Sequence, residues 1–568
     1  MNLIKAIGLV LVFSGIVMGC YLFSISYDSF IVIVSDFVGV SNIVGIPDPE
    51  GKFRNLITSK VFFQIKLISF LPIIIGSLIF NYSGNLHRNT EKIVLALSNI
   101  SDEVKLIEKK YLIIACMVLL ASLVCRLYYA FYPITYDEAW TYIYFTSKGF
   151  LTSISFYPVP NNQVLHSILT NLTYYFPFSQ TLNLRIPSLL IGIASVAVFY
   201  LTFRKIFDDR IALWLMSIFS FLYPVLFYGF KARGYSLVIL SSVICFYGAV
   251  QIVRSTKYDD VKQYWFYLSF GAVMGLYSLP SFLYPYFAFT TFLAFTLLYR
   301  RNIKQLITLF TSVFITGAIT VILYSPIFIV SGFSSMSNNQ GVKVIPRYEV
   351  LGSLFAHFTE TFGILFYSEW VLLLVVFLSA FLLTRPKINV ENKLASYVIF
   401  ISPVILLIHS VIAVPRTWVH LVVPILFLLG SLMKNLPADK NGTLLGGSAI
   451  ILIGFLVFNF NAYINKYEKF SFEADKLSSL LISNNANKIY INHYLIKTNL
   501  IYLFEEKGAQ VDIVSSRPGL FENNQIAENN FDYLILGEQI NNIPGYKLIE
   551  KLCAQCRLKA RTYVYAKA

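Results

Sequence analysis

Residues 111–142 read YLIIACMVLLASLVCRLYYAFYPITYDEAWTY. The run from Tyr111 to Tyr129 is apolar for long enough to cross a bilayer, and it opens into an aromatic, proline-bearing stretch that carries the adjacent carboxylates Asp137 and Glu138. Two carboxylates at the mouth of a span are costly unless solvated, paired or used, which makes them functional candidates. The same pair, taken alone, also suits a helix cap lying among headgroups.

Composition sets the class. Of 568 residues, 57% are hydrophobic and 13% charged, with a mean hydropathy of +0.66, which is far from soluble globular usage and predicts an α-helical polytopic membrane protein. A net charge of +15 would suggest nucleic acid for a soluble chain. Here the basic residues sit in short connectors between apolar runs, so they report topology and imply no nucleic-acid partner. Cys20, Cys116, Cys125 and Cys245 fall within apolar runs as packing residues, whereas Cys553 and Cys556 stand in a polar segment where a local disulfide is open to them.

Hydropathy predicts about thirteen transmembrane helices. The first, Met1 to Phe23, reads as an uncleaved span, and the second as Val61 to Phe80. The others run from Tyr111–Tyr129 through Ile186–Phe203, Ile211–Phe227, Tyr235–Val253, Tyr264–Leu279, Phe282–Leu298, Leu306–Val330, Ile364–Leu383, Leu394–Val414, Val419–Met433 and Gly446–Phe460. Lys5, Lys110, Arg204, Arg254, Arg300, Arg385 and Lys434 fall on alternate connectors, which predicts a cytoplasmic N-terminus and an outer side poor in cations. The large outer loop, Tyr132 to Leu184, contains two expected amphipathic helices, Ala139–Ser147 and Val164–Tyr175. From about Glu473 the pattern turns to short β-runs at Lys488–Asn492, Val511–Val514, Phe531–Leu536 and Thr562–Ala566, with a helix over Leu500–Lys507. The expected division is a two-span extension over 1–110, a transmembrane core over 111–462, and a small extracytoplasmic α/β domain over 473–568.

Four groups then fall on the outer ends of the spans. They are Asp137-Glu138, Asn161-Asn162-Gln163 with His166, Lys231 and Arg233 before Tyr235, and Arg416 after Val414-Pro415. Bland roles exist for each: helix capping for the asparagines, packing for His166, interfacial anchoring for the cations. Lys343 and Arg347 are lesser candidates in a neighbouring loop. A carboxylate facing several cations suits transfer from a lipid-linked phosphate. The carboxylate takes a proton from an attacking hydroxyl or amine, and the cations hold the leaving phosphate. One carboxylate with backside attack predicts inversion.

The motifs Tyr136-Asp137-Glu138-Ala139, Pro160-Asn161-Asn162-Gln163-Val164-Leu165-His166, Leu184-Arg185-Ile186-Pro187-Ser188 and Lys231-Ala232-Arg233-Gly234-Tyr235 occur in that order. In this they resemble the polyprenyl-phosphate-sugar-dependent GT-C glycosyltransferases, in the branch with the protein O-mannosyltransferases, the aminoarabinose transferase of lipid A and the rhizobial core-galacturonosyltransferase-like domains. The resemblance implies a GT-C-like fold in the plasma (inner) membrane and a polyprenyl-phosphate sugar donor. The acceptor would be an extracytoplasmic glycan, lipid or protein. Asp137 is then the catalytic carboxylate, with Glu138 beside it. Lys231, Arg233 and Arg416 become donor-phosphate contacts, and Asn161, Asn162, His166 and Tyr235 substrate contacts. Related sequences often carry His where this chain has Gln163. A divalent cation held by Asp137 and Glu138 stays open, although two neighbouring carboxylates make a poor cage. The alternative from another class is a transporter or flippase for a lipid-linked saccharide. Against it stand the lack of an internal repeat and the clustering of charge at the rim, away from the midplane.

Overall fold

The computed structural model describes residues 2–37, 49–81, 83, 104–157, 161–255, 257–337, 344–384, 388–434, 441–515, 530–541, 543–552 and 561–568. Cys553, Cys556 and Lys343 lie outside the described residues. The chain forms two compact units. One comprises Met1–Met117, Leu151–Pro160 and Ile319–Lys343, the other Val118–Phe150, Asn161–Ala318 and Val344–Ala568.

In the first unit the Asn2–Ser24 helix packs on the Leu71–Asn81 helix. Close approach is possible because both carry glycine at the crossing: a Cβ on Gly8 would stand 2.8 Å from the Gly76 carbonyl oxygen. Small residues at such crossings let helices pack where no hydrophobic force drives them together. The chain then bends by 117° into the next helix, and the span expected over Val61–Phe80 is two helices, Ser59–Ile68 and Leu71–Asn81.

The second unit is a helical bundle ending in a five-stranded sheet. Its central helix, Tyr235–Arg254, is 83% buried, as expected of a helix apolar on every side. The expected Ile211–Phe227 span is broken into Asp209–Phe221 and Tyr223–Phe227. Pro224 sits in the first turn of the second piece and has no N–H to give the Ser220 carbonyl, so the helix cannot run through. Eight helices among the described residues are long and apolar enough to cross a membrane, or ten if each of two sharply bent pairs is one span. That is fewer than the roughly thirteen read from hydropathy, and the breaks just described are part of the reason. The protein is a multi-pass membrane protein.

The outer-loop helices form over Tyr136–Tyr144 and Val164–Thr173. Beyond the bundle, β1 (Lys488–Ile491), β2 (Asp512–Ser515), β3 (Tyr533–Leu536), β4 (Tyr546–Leu552) and β5 (Thr562–Lys567) form one sheet in the order β2-β1-β3-β5-β4. β1 is parallel to β2 and β3, and β5 is antiparallel to β3 and β4. The helix between β1 and β2 spans Tyr494–Glu506. Of these strands only β4 was not anticipated.

Candidate active site

The Tyr136–Tyr144 helix begins with a capping box: the Thr135 N–H and hydroxyl both donate to the Glu138 carboxylate, at 3.0 and 2.9 Å. Capping places Asp137 and Glu138 one residue apart in the first turn, about 100° apart around the axis, and so in different surroundings.

Glu138 is fully buried. Arg185 donates to it through two nitrogens, at 2.9 and 2.7 Å, and the Ala232 N–H adds a third bond at 2.7 Å. Burial would raise this carboxyl, but Arg185 and Lys231 hold it well below its ordinary 4.5. The remaining Arg185 donors go to the carbonyls of Ala130, Tyr132 and Pro133. Each donor of Arg185 is thus spent on Glu138 or on a backbone carbonyl, and Glu138, which also accepts from Thr135, offers no free lone pair to a reactant.

Asp137 differs. Its side chain is 30% exposed and faces Arg416 at 3.2 Å and Arg233 at 3.9 Å. Burial pushes its carboxyl up, and the two guanidiniums outweigh that, so it titrates below its ordinary 3.8. Arg416 is 43% exposed and has Tyr235 beside it. Arg233, almost buried, is steered by the Asn161 side-chain carbonyl, which accepts from it; its Nε has no partner. The sequence candidates Asp137, Arg233, Arg416, Tyr235 and Asn161 therefore come together.

Lys231 belongs to a different cluster. It is only 2% exposed and lies between Glu138 at 3.5 Å and Glu468 at 3.4 Å, with the rings of Phe227 and Phe230 beneath it. His166 is buried too. Its Nε2 shares a hydrogen bond of 3.0 Å with the Ser188 hydroxyl, which donates to the Arg233 carbonyl. Burial, aided by the charge of Arg233, pushes its imidazole down to about 3, so it is neutral at any working pH. Asn162 accepts from Ser167 at 2.9 Å, and Gln163 accepts from the Gly234 N–H. His166, through Ser188, and Gln163 thereby shape the loop that carries Arg233. Among the described residues, Asp137 has no ion pair with Arg347, which heads the Arg347–Phe366 helix. No three of His, Cys, Asp and Glu gather into a metal cluster among those residues either.

Sequence reasoning assigned no role to Arg126, although a lone cation inside an apolar run is a visible signal. It is fully buried and donates to the carbonyls of Ser220, at 3.4 Å, and Val225, at 3.0 Å, as well as to Ser122. Those are the acceptors that the Pro224 break and the early end of the Tyr223–Phe227 helix leave without helical partners. Arg126 thus stitches the turn from which Lys231 and Arg233 emerge. Gly229 makes room for it: a Cβ there would meet the guanidinium and stand 2.7 Å from the Val225 carbonyl oxygen. Gly229→Ala is expected to destabilise the protein by roughly 1–3 kcal/mol through overpacking, read as a lower melting temperature in detergent micelles.

No protein-family model matches the chain, and no curated protein matches it in sequence. Among solved structures, ArnT from Cupriavidus metallidurans in the apo state superposes with a TM-score of 0.53 at 11% identity, over 80% of this chain and 97% of that one. The fold is ArnT-like. The helical membrane architecture with a small C-terminal sheet domain expected from the sequence is therefore the architecture found. A second structure of the same protein, bound to undecaprenyl phosphate, superposes more loosely, with a TM-score of 0.43 at 13% identity over 70% of this chain and 74% of that one.

Proposed function

We propose that the protein is an inverting glycosyltransferase that moves one sugar from a polyprenyl-phosphate carrier to an extracytoplasmic glycan, lipid or protein, with its N-terminus in the cytoplasm. One observation carries this reading: the half-open carboxylate of Asp137 bracketed by Arg416 and Arg233. Among the described residues that carboxylate is the anion the two guanidiniums pair with. An arriving sugar phosphate offers them a second anion with bidentate geometry and draws them partly away from Asp137.

The released carboxylate then faces the acceptor. It takes the proton of the acceptor O–H or N–H as that atom attacks the anomeric carbon. The bond from anomeric carbon to phosphate oxygen breaks with its electron pair on the oxygen, and Arg416 and Arg233 stabilise the charge that builds there. In this scheme Asn161 aims Arg233, and Glu138 and Lys231 hold the scaffold.

The test is a panel of polyprenyl phosphates carrying radiolabelled aminoarabinose, galacturonate or mannose, supplied to the purified protein with bacterial envelope extract as acceptor. Release of free polyprenyl phosphate with transfer of label supports the reading. Movement of labelled lipid across vesicles without any covalent product rejects it in favour of a flippase. Arg416→Ala should raise the donor KM roughly 10- to 100-fold, the worth of one or two hydrogen bonds to a charged group, with Arg416→Lys in between. In Arg416→Ala the acid limb of the rate profile should also move to higher pH, because Asp137 loses one of the cations that hold its carboxyl down.

A further inference from the structure

The C-terminal sheet domain does not close its core on itself. Ala474, Leu477, Leu500, Tyr502, Leu503 and Ile535 share one buried cluster with Ile134, Ala139, Tyr142, Leu184 and Ala232, the residues that back the Asp137 helix and the Arg233 loop. Polar contacts follow the same line. Tyr142 donates its hydroxyl to Glu505, and the ring of Tyr502 meets that of Tyr142 edge-on at 5.0 Å. The Thr181 N–H and hydroxyl both donate to Glu506, at 3.0 and 2.6 Å, and Asn499 donates to the Ile134 carbonyl at 3.4 Å.

Glu505 and Glu506 end the Tyr494–Glu506 helix, whose last turn has no basic residue. Carboxylates at a helix C-terminus work against its dipole. Their place is explained by what they grip across the contact; within the helix Glu506 accepts only a longer bond from the Tyr502 hydroxyl, at 3.4 Å, among the described residues.

We infer that this domain is a working part of the candidate active site: Tyr142 and Glu505 are positioning residues that fix the rotation of the Tyr136–Tyr144 helix and thereby the approach of Asp137 to Arg416 and Arg233, while Glu506 anchors the domain at Thr181. The inference rests on the reading of Asp137 given above and extends it to a part of the chain that the motifs do not reach. Tyr142 is suited to the task. Burial first, and the Glu505 carboxylate with it, keep its phenol protonated far above the ordinary range, so the tether is a donor at every working pH. Asp137 and Tyr142 stand five positions apart on one short helix, and a rigid helix passes a rotation at one end to the other.

The test uses the full chain in detergent micelles with the labelled polyprenyl-phosphate sugar that the panel above selects. Tyr142→Phe and Glu505→Ala remove the tether, and Glu505→Gln keeps an acceptor. The expected result is a kcat lowered roughly 10- to 100-fold, the scale of an ångström-level misplacement, with donor KM unchanged. Hydrogen exchange should quicken over residues 139–144 only, and the acid limb should move to higher pH as Asp137 draws away from its arginines. Glu505→Gln should restore most of the rate. The inference is overturned by wild-type kcat and exchange in Tyr142→Phe and Glu505→Ala. It is equally overturned if activity falls only in step with the folded fraction, with exchange raised throughout and no rescue by Glu505→Gln. Full turnover in Asp137→Asn would instead sink the underlying functional reading, and exchange over 139–144 would still report whether the tether exists.

Discussion

Asp137→Asn is expected to lower the rate of sugar transfer by roughly 10²- to 10⁴-fold, the usual worth of a positioned general base, while the protein inserts and melts as the wild type does. The amide is nearly the same shape; Arg233 keeps its hydrogen bonds to the Asn161 side chain and the residue-137 carbonyl, and Arg416 is 43% exposed, so the fold should survive the loss of the charge. Donor binding should hold or tighten, because an amide no longer competes with the sugar phosphate for Arg416 and Arg233. The two outcomes together, a collapsed kcat with a KM equal to or below wild type, mark a group whose contribution appears in the transition state. Turnover within a few-fold of wild type would remove Asp137 from the chemistry. The pH profile offers an independent check. The wild-type acid limb should lie below the ordinary carboxylate value of 3.8, since the arginines hold this carboxyl down.

Much of this site can be read from the chain because the side predicted to be poor in cations makes each remaining cation conspicuous. Arg233 and Arg416 stand out in that way, and the structure brings both to Asp137. Lys231 is as conspicuous in sequence but fills a buried ion cluster. What separates it from Arg233 is Glu468, a residue 237 positions away that no local pattern connects to it. Asp137 and Glu138 are likewise indistinguishable in a string of letters. Their divergence depends on which face of a short helix meets Arg185. The sheet was legible wherever apolar residues clustered, as in Tyr533–Leu536. It was not legible at β4, where Lys547, Glu550 and Lys551 break up the apolar residues of an edge strand that is half open to solvent. Hydropathy also cannot register a break such as the one at Pro224, where composition stays apolar and only the hydrogen-bond ladder is lost.

The largest structural effect should come from Arg185. Arg185→Ala, or Glu138→Ala, strips one partner from a fully buried pair and is expected to cost roughly 3–5 kcal/mol. That is a large share of the 5–15 kcal/mol by which a typical protein is stable, so both variants should accumulate poorly as folded protein. Replacing both charges with apolar residues often restores stability where an ion pair serves only itself. It should not do so here. Glu138 accepts the N–H groups of Thr135 and Ala232, and Arg185 donates to the carbonyls of Ala130, Tyr132 and Pro133, so a Glu138→Leu/Arg185→Met double variant strands three carbonyls and two N–H groups in the interior. Each stranded group carries its own desolvation cost. Acid titration separates the pair's electrostatic share from this backbone role. Because the folded Glu138 carboxyl is depressed below its ordinary 4.5, the pair's contribution is fully present above that value. It is lost only as pH falls below it, through the much lower folded value. Wild-type melting temperatures should therefore hold steady down to about pH 4.5 and then decline, whereas the double variant, low throughout, should lack that part of the decline. A double variant that melts at the wild-type temperature would show that the five backbone groups find other partners, and that Arg185 and Glu138 brace nothing but each other.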